Sequence, residues 1–170
     1  NDKVGLILFS DNIEKFIFPK KGKSHVLRVI RELLYTNPRN TGTSIGNSLD
    51  YLLKVAKRKS VVFIISDFLD SGYNSSLKIV SKKHDLIAIQ LYDPAEYKFP
   101  NIGLAKVEDP ESGEMFWIDT TSKRAMKELE DDIRLKQLKF SKNAKKIGFD
   151  LISISTDEDF VDPLMSFFKK

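Results

Sequence analysis

The stretch "VVFIISDFLD" (61–70) begins with five consecutive apolar residues and then stops at Ser66-Asp67. A strand that is apolar on both faces needs cover on both faces, the usual situation in a parallel sheet and not in a half-solvated antiparallel one. The same signature recurs in "KVGLILFS" (3–10), "DLIAIQLYD" (85–93) and "DLISIS" (150–155). Parallel neighbours need long crossovers, and the segments between these runs are helical in pattern. Val26, Ile30, Leu33 and Leu34 define an apolar face over 24–35, and Ile45, Leu49, Leu52, Leu53 and Ala56 define a second after "NPRNTG". A third helix is expected around 74–83. A long charged helix is expected over 122–147, with Met126, Leu129, Ile133, Phe140, Ala144 and Ile147 on its inner side and Gly148 as its stop. A closing helix follows Asp157.

"IEKFIFP" (13–19) alternates and suits an antiparallel edge strand hairpinned to 4–10 across Asp11-Asn12. "GLAKVEDPESGEMFWIDT" reads as an inserted hairpin turning at Asp109-Pro110 and Ser112-Gly113. The expected fold is therefore α/β: a mainly parallel sheet with helices on both faces, one antiparallel edge strand and an inserted β-hairpin. With 170 residues and no linker or repeat, a single domain over 1–170 is expected.

Composition removes several function classes. There is no cysteine, so disulfides, thiolate zinc sites and cysteine nucleophiles are excluded, and His25 and His84 are too far apart for a histidine-rich metal site. His25 opens a helix and His84 closes one, positions that suit surface or capping roles better than a catalytic base. The sequence contains no P-loop, no GxGxxG and no GxSxG. Net charge is only +4, and the basic excess in Lys123–Lys146 alternates with acids, as in "KELEDDIRLKQLK", so a solvated helix face is expected in place of a nucleic-acid interface. No apolar run is long enough to span a bilayer and no leader pattern is visible, so the expected location is cytoplasmic.

Four apolar strands end on aspartates: Asp11, Asp67, Asp93 and Asp157. Strand ends at one edge of a parallel sheet form the ligand-binding edge of open α/β folds, and carboxylates there could hold magnesium. Aspartate also begins turns and caps helices, which accounts for Asp93 before Pro94, for Asp157 at the start of the last helix and for Asp11 in its turn. Asp67 has a further partner in "TGTSIGNSL" (41–49), where Thr43 or Ser44 would stand at a helix amino terminus. Two readings stay open at this point: a helix cap, or an anion or metal-water site shared by Thr43 and Asp67.

"GTSIGNSL" and "VVFIISDF" resemble two of the three segments of the metal-ion-dependent adhesion site in von Willebrand factor A-like domains. "DKVGLILFSDNIEKFIFPKKGKSHVLRVIRELL", "SVVFIISDFLD", "HDLIAIQLYDPAEYKFPNIGL" and "EDPESGEMFWIDT" resemble the bacterial family called domain of unknown function 58, whose carboxyl-terminal half is A-like. The resemblance implies a Rossmann-type three-layer fold, with Thr43 as the site's threonine and Asp67 as its second aspartate. The usual Asp-Gly is Asp67-Phe68 here, and the Asp-x-Ser-x-Ser loop that follows the family's first strand is absent. With those ligands missing, magnesium is expected to bind weakly or not at all. The resemblance further implies a non-catalytic interaction module acting with MoxR-type AAA+ ATPases on other proteins.

Interaction candidates are Phe116 and Trp117 on the hairpin, and Tyr92 and Tyr97 in "YDPAEYKFPNIG". The enzymatic rival is a magnesium-dependent phosphohydrolase, with Asp67 or Asp11 binding the metal and the Thr43 helix terminus gripping phosphate. In the resembled fold the absent first strand lies between 4–10 and 60–66, and the chain enters strand 4–10 almost at once. The expectation is a carboxyl-terminal piece of a longer protein, its orphaned edges satisfied by direct pairing of 4–10 with 60–66 or by another chain, with self-association favoured.

Overall fold

In the computed structural model, which describes residues 2–40, 42–94, 101–108 and 114–169, the elements follow the order ββααβαβββαβα. Strands β1 (Val4–Phe9) and β2 (Ile13–Lys20) precede helices α1 (Lys23–Tyr35) and α2 (Ile45–Val55). Strand β3 (Val61–Ser66), helix α3 (Asn74–Lys83) and strand β4 (Asp85–Tyr92) follow. The hairpin β5 (Leu104–Glu108) and β6 (Met115–Asp119) leads into α4 (Lys123–Ile147), β7 (Asp150–Ser155) and α5 (Val161–Phe168). The α/β class read from the apolar periodicity holds. Its expected turn at Asp109-Pro110 and Ser112-Gly113, and the side chains of Leu129 and Ile133, lie outside the described residues. No helix among the described residues is long and apolar enough to cross a membrane.

The ladders divide into three sheets. β3, β4 and β7 form a parallel sheet in the order β3-β4-β7, whereas β1-β2 and β5-β6 are antiparallel pairs of their own. Direct pairing of β1 with β3, one of the two expected arrangements, is not among the ladders of the described residues. The ladder of β1 is with β2, which a turn of a few residues brings alongside at small loop-closure cost, while β3 arrives some fifty residues later.

The chain groups into two compact units, Asn1–Arg58 with Leu69–Val80, and Lys59–Phe68 with Ser81–Lys170. In the first, α1 turns a different face inward from the one its leucines suggest. Val29 is buried, while Ile30, Leu33 and Leu34 are exposed. Two polar contacts set that rotation: the His25 ring nitrogen Nε2 donates to the Val4 carbonyl at 2.8 Å, and Glu32 pairs with Lys15 of β2 at 3.1 Å. Positions 25, 29 and 32 share one helical face, so fixing the outer two fixes the middle one.

In the second unit, Ile87, Ile89, Ile152 and Ile154 share a face of the parallel sheet and form a core that Leu164 and Phe167 of α5 close. α4 contributes Phe140 and Ala144 as buried side chains. It begins at Ser122, whose hydroxyl accepts from the Ala125 amide, and ends at Gly148 in the left-handed region, φ 88°. The Gly148 amide returns to the Ala144 carbonyl at 2.8 Å, as expected for a helix stop.

The last helix starts at Val161, four residues later than expected. Asp159 and not Asp157 receives its first amide, at 2.8 Å, because Asp157 is engaged by the hydroxyl of Ser155. Phe68 is the one non-glycine residue with positive φ (61°) among those described. Its ring is buried against Phe140, with centroids 4.5 Å apart. A left-handed residue with a Cβ costs about 1–2 kcal/mol, less than full burial of an aromatic side chain contributes.

This trade predicts an inversion of the usual helix-derived ranking of small residues. Phe68→Ala loses the ring and keeps the Cβ strain, whereas Phe68→Gly loses the ring and relieves the strain. Urea unfolding should find both destabilised, with the Gly protein more stable than the Ala protein by about 1 kcal/mol. Equal or reversed stabilities would show that the conformation at position 68 is unstrained.

His84 was expected at the surface or as a cap. Instead it is 2% exposed, and neither ring nitrogen has a hydrogen-bond partner among the described residues. Desolvation, assisted by the charge of Lys83, holds its pKa below the ordinary 6.5. The folded state therefore keeps the ring neutral at a pH where the unfolded chain binds a proton. Stability should be full above pH 6.5 and fall as the pH drops through it. His84→Leu should flatten that slope in denaturation curves taken between pH 7 and pH 5, and an unchanged slope would contradict the assignment.

Candidate functional site

The amino terminus of α2 is built by residues of the first unit. Ser44, in an extended conformation, is the N-cap, and its hydroxyl accepts from the Asn47 amide at 3.4 Å. The cap is thus Ser44 and not Thr43, which is the half-buried residue before it. The Ser44 amide donates to the Ser10 carbonyl at 2.8 Å, and Asn47 donates through its side-chain nitrogen to the Asp11 carbonyl at 3.2 Å. These bonds tie the end of β1 to the start of α2.

A carboxylate also reaches this helix end, and it is Asp70. Its Oδ2 accepts the Ile45 amide at 2.8 Å, while Oδ1 accepts the Ser71 amide at 2.6 Å. A negative charge at a helix N-terminus is favourable because unpaired amides and the helix dipole both point there. Sequence reasoning missed Asp70, because strand-end position singles out Asp67 and not a residue three further on. The available signal was a second aspartate three residues on, within "SDFLD", where a loop leaving the sheet edge could reach back to a helix terminus.

Beside this cap, the buried Ser10 hydroxyl lies 2.7 Å from Glu14 Oε1 and 3.1 Å from Asp11 Oδ1. Glu14 Oε1 also receives the Arg39 amide at 3.1 Å and the Asn40 side chain at 3.4 Å. The Ser10 hydroxyl foremost, then those donors, hold the Glu14 carboxyl below the usual carboxylate range. Every one of these groups is engaged in pinning the loop before α2. The arrangement is a structural polar network.

In the second unit the carboxyl ends of β3, β4 and β7 fall along one edge, as parallel pairing dictates, and carry Asp67, Asp93 and Asp157. Asp67 is exposed, and its Oδ1 accepts the Ser66 hydroxyl at 3.2 Å. Tyr92 is half-buried, and its carbonyl receives the Thr156 amide at 3.0 Å. An apolar groove of about 340 Å³ opens near this edge, its lining including Ile65, Leu91, Ile154, Ser155, Glu158, Phe160 and Leu164.

Thr43 and Asp67, the expected metal pair, belong to different units. Among the described residues no group of three His, Asp or Glu side chains could hold a metal ion. Magnesium prefers near-octahedral oxygen coordination, and this donor set does not fit it. Asp11 lies in the first unit, where its carboxylate accepts from the Ser10 hydroxyl.

The β5-β6 hairpin presents two different faces. Paired positions in an antiparallel ladder share a side, so Leu104, Lys106 and Trp117 stand on one face and Ala105, Val107, Phe116 and Ile118 on the other. Ala105, Val107 and Ile118 are half-buried, whereas Leu104, Met115 and Trp117 are exposed, Trp117 at 64%. Phe116 is also exposed, on the inward-leaning face. Tyr97, the fourth interaction candidate, lies outside the described residues.

Comparison with known proteins bears on the whole arrangement. An uncharacterised protein of Mycobacterium avium is 24% identical over 161 residues, covering 89% of this chain and 91% of its own length. Uncharacterised proteins of Mycobacterium bovis and Mycobacterium tuberculosis are 24% identical over 157 residues, and the chain spans 47% of their length. Among solved structures, the conserved hypothetical protein BatB from Bacteroides thetaiotaomicron matches all of this chain and 81% of its own, with a TM-score of 0.50 at 13% identity, a likeness of fold alone. The profile of the family described as protein of unknown function DUF58 matches residues 1–138, and the chain belongs to that family.

Proposed function

We propose that the chain is a non-catalytic protein-protein interaction module of the von Willebrand factor A-like kind, with a degenerate metal site, working with a MoxR-type AAA+ ATPase. The observation that carries the reading is the outward face of the β5-β6 hairpin, where Leu104, Met115 and Trp117 are all exposed. Tryptophan combines a large apolar area with one hydrogen-bond donor and is enriched where interfaces concentrate their energy. The two histidines support a role without catalysis. The His25 ring is committed to the Val4 carbonyl, and His84 is buried with no hydrogen-bond partner among the described residues to orient it as a base. The ATPase as partner rests on the family resemblance.

Magnesium titrated calorimetrically should give no binding tighter than millimolar, and Asp67→Ala should leave the trace unchanged. Micromolar affinity abolished by Asp67→Ala would overturn the degenerate-site reading. Interferometry against the purified MoxR-type ATPase of the same genome should show binding that Trp117→Ala weakens at least tenfold, an order typical of a hot spot. Full-strength binding by the variant would remove the hairpin from the interface, and no binding by the parent would remove the partner.

A further inference from the structure

The β5-β6 hairpin lies wholly within the second unit, and its outward face combines exposed apolar groups with charge. Leu104 stands opposite Asp119 there, and Lys106 opposite Trp117. From residue 104 to residue 119 the sequence carries Glu108, Asp109, Glu111, Glu114 and Asp119 against Lys106 alone, a net charge of −4. Taking that one base and those five acids from the chain's 28 and 24 leaves 27 basic and 19 acidic residues, a net of +8. The hairpin is thus a strongly negative segment on a chain that is otherwise positive. An apolar face set in negative charge selects a partner that brings positive charge among apolar groups.

The position of Asp119 narrows the chemistry. It shares the face of Trp117 two residues away, about 7 Å along the strand. Its Oδ1 accepts the Thr121 hydroxyl at 2.6 Å and the Thr121 amide at 2.9 Å, which fixes the carboxylate at the foot of the hairpin. The hydroxyl first, and then the amide, hold this carboxyl below the usual carboxylate range. A fixed carboxylate beside an exposed indole suits arginine better than lysine. The guanidinium is planar, lies flat on an aromatic ring and offers several donors to a carboxylate, whereas an ammonium is a compact and strongly hydrated point charge.

We propose that the outward face of the hairpin docks a basic, arginine-bearing segment of a partner protein, with a guanidinium lying on the Trp117 ring and hydrogen-bonded to the Asp119 carboxylate. The inference rests on the hairpin being the contact surface and names what that surface recognises.

Trp117 is the chain's single tryptophan, so its emission reports on the hairpin alone. Hexa-arginine titrated into the intact protein at low ionic strength should change that emission saturably. Hexalysine, of equal charge, should bind at least about threefold more weakly. Asp119→Asn keeps an oxygen to accept from Thr121 and removes the charge, and Glu114→Gln removes a charge from an exposed position. Each should weaken hexa-arginine binding about two- to fivefold. Equal affinities for the two peptides would overturn the proposal, and so would unchanged affinity in both variants. Calorimetric binding that leaves the Trp117 emission unaltered would also overturn it, and would direct attention to the other acidic stretch, Asp157 to Asp162 beside Phe160. Binding to the MoxR-type ATPase separates this inference from the reading beneath it. Loss of that binding in Trp117→Ala, with full binding in Asp119→Asn and Glu114→Gln, would keep the hairpin as the interface and overturn its basic partner. Full ATPase binding in Trp117→Ala, with the preference for hexa-arginine intact in the parent, would uphold the arginine site and overturn that ATPase as its occupant.

Discussion

The parallel register of β3, β4 and β7 is the constraint on which the rest of the second unit depends. Once those strands run the same way, each connection between them must cross over outside the sheet, and the hairpin and α4 make the one from β4 to β7. Parallel pairing also decides that Asp67, Asp93 and Asp157 reach one edge without any need for a shared ligand. Their geometry is a consequence of topology. Asp157 is held by Ser155, and Asp67 accepts from Ser66. A row of carboxylates at a sheet edge is thus weak evidence for a metal when the strands that deliver it are parallel.

Helix α2 shows how a binding-like arrangement can be structural. Its amino-terminal amides attract a carboxylate for the same reason that such termini attract phosphate. Here the carboxylate comes from within the unit, as Asp70 on Ile45, and Ser44 takes the Asn47 amide. An anion arriving at this terminus would compete with an internal one already at 2.8 Å.

Much of the fold was legible because it rests on periodicity. Each strand and helix lies within a few residues of its expected bounds, since unbroken apolar runs and 3.6-residue patterns are local properties. What was not legible depends on contacts between segments. The inward face of α1 follows from His25 on Val4 and Glu32 on Lys15, neither visible in a helical wheel that counts leucines. The burial of His84 depends on tertiary packing, and the separation of β1 from β3 into different sheets depends on ladder partners. Phe68 occupies a left-handed position that local rules reserve for glycine, and the packing of its ring on Phe140 is a contact between distant segments. Of the candidate site, Thr43 and Asp67 were found in their expected loops, but the group that binds the helix terminus, Asp70, was not among the candidates.

The account centres on the parallel register of β3 and β4, and amide hydrogen exchange reads it directly. The Asp85 amide donates to the Ser60 carbonyl at 2.9 Å, so Val62 and Ile64 on β3 and Ile87 and Ile89 on β4 turn their amides to one another. Those four amides should be among the slowest to exchange. Exchange of the Val62 and Ile64 amides as fast as that of an exposed loop would contradict the account.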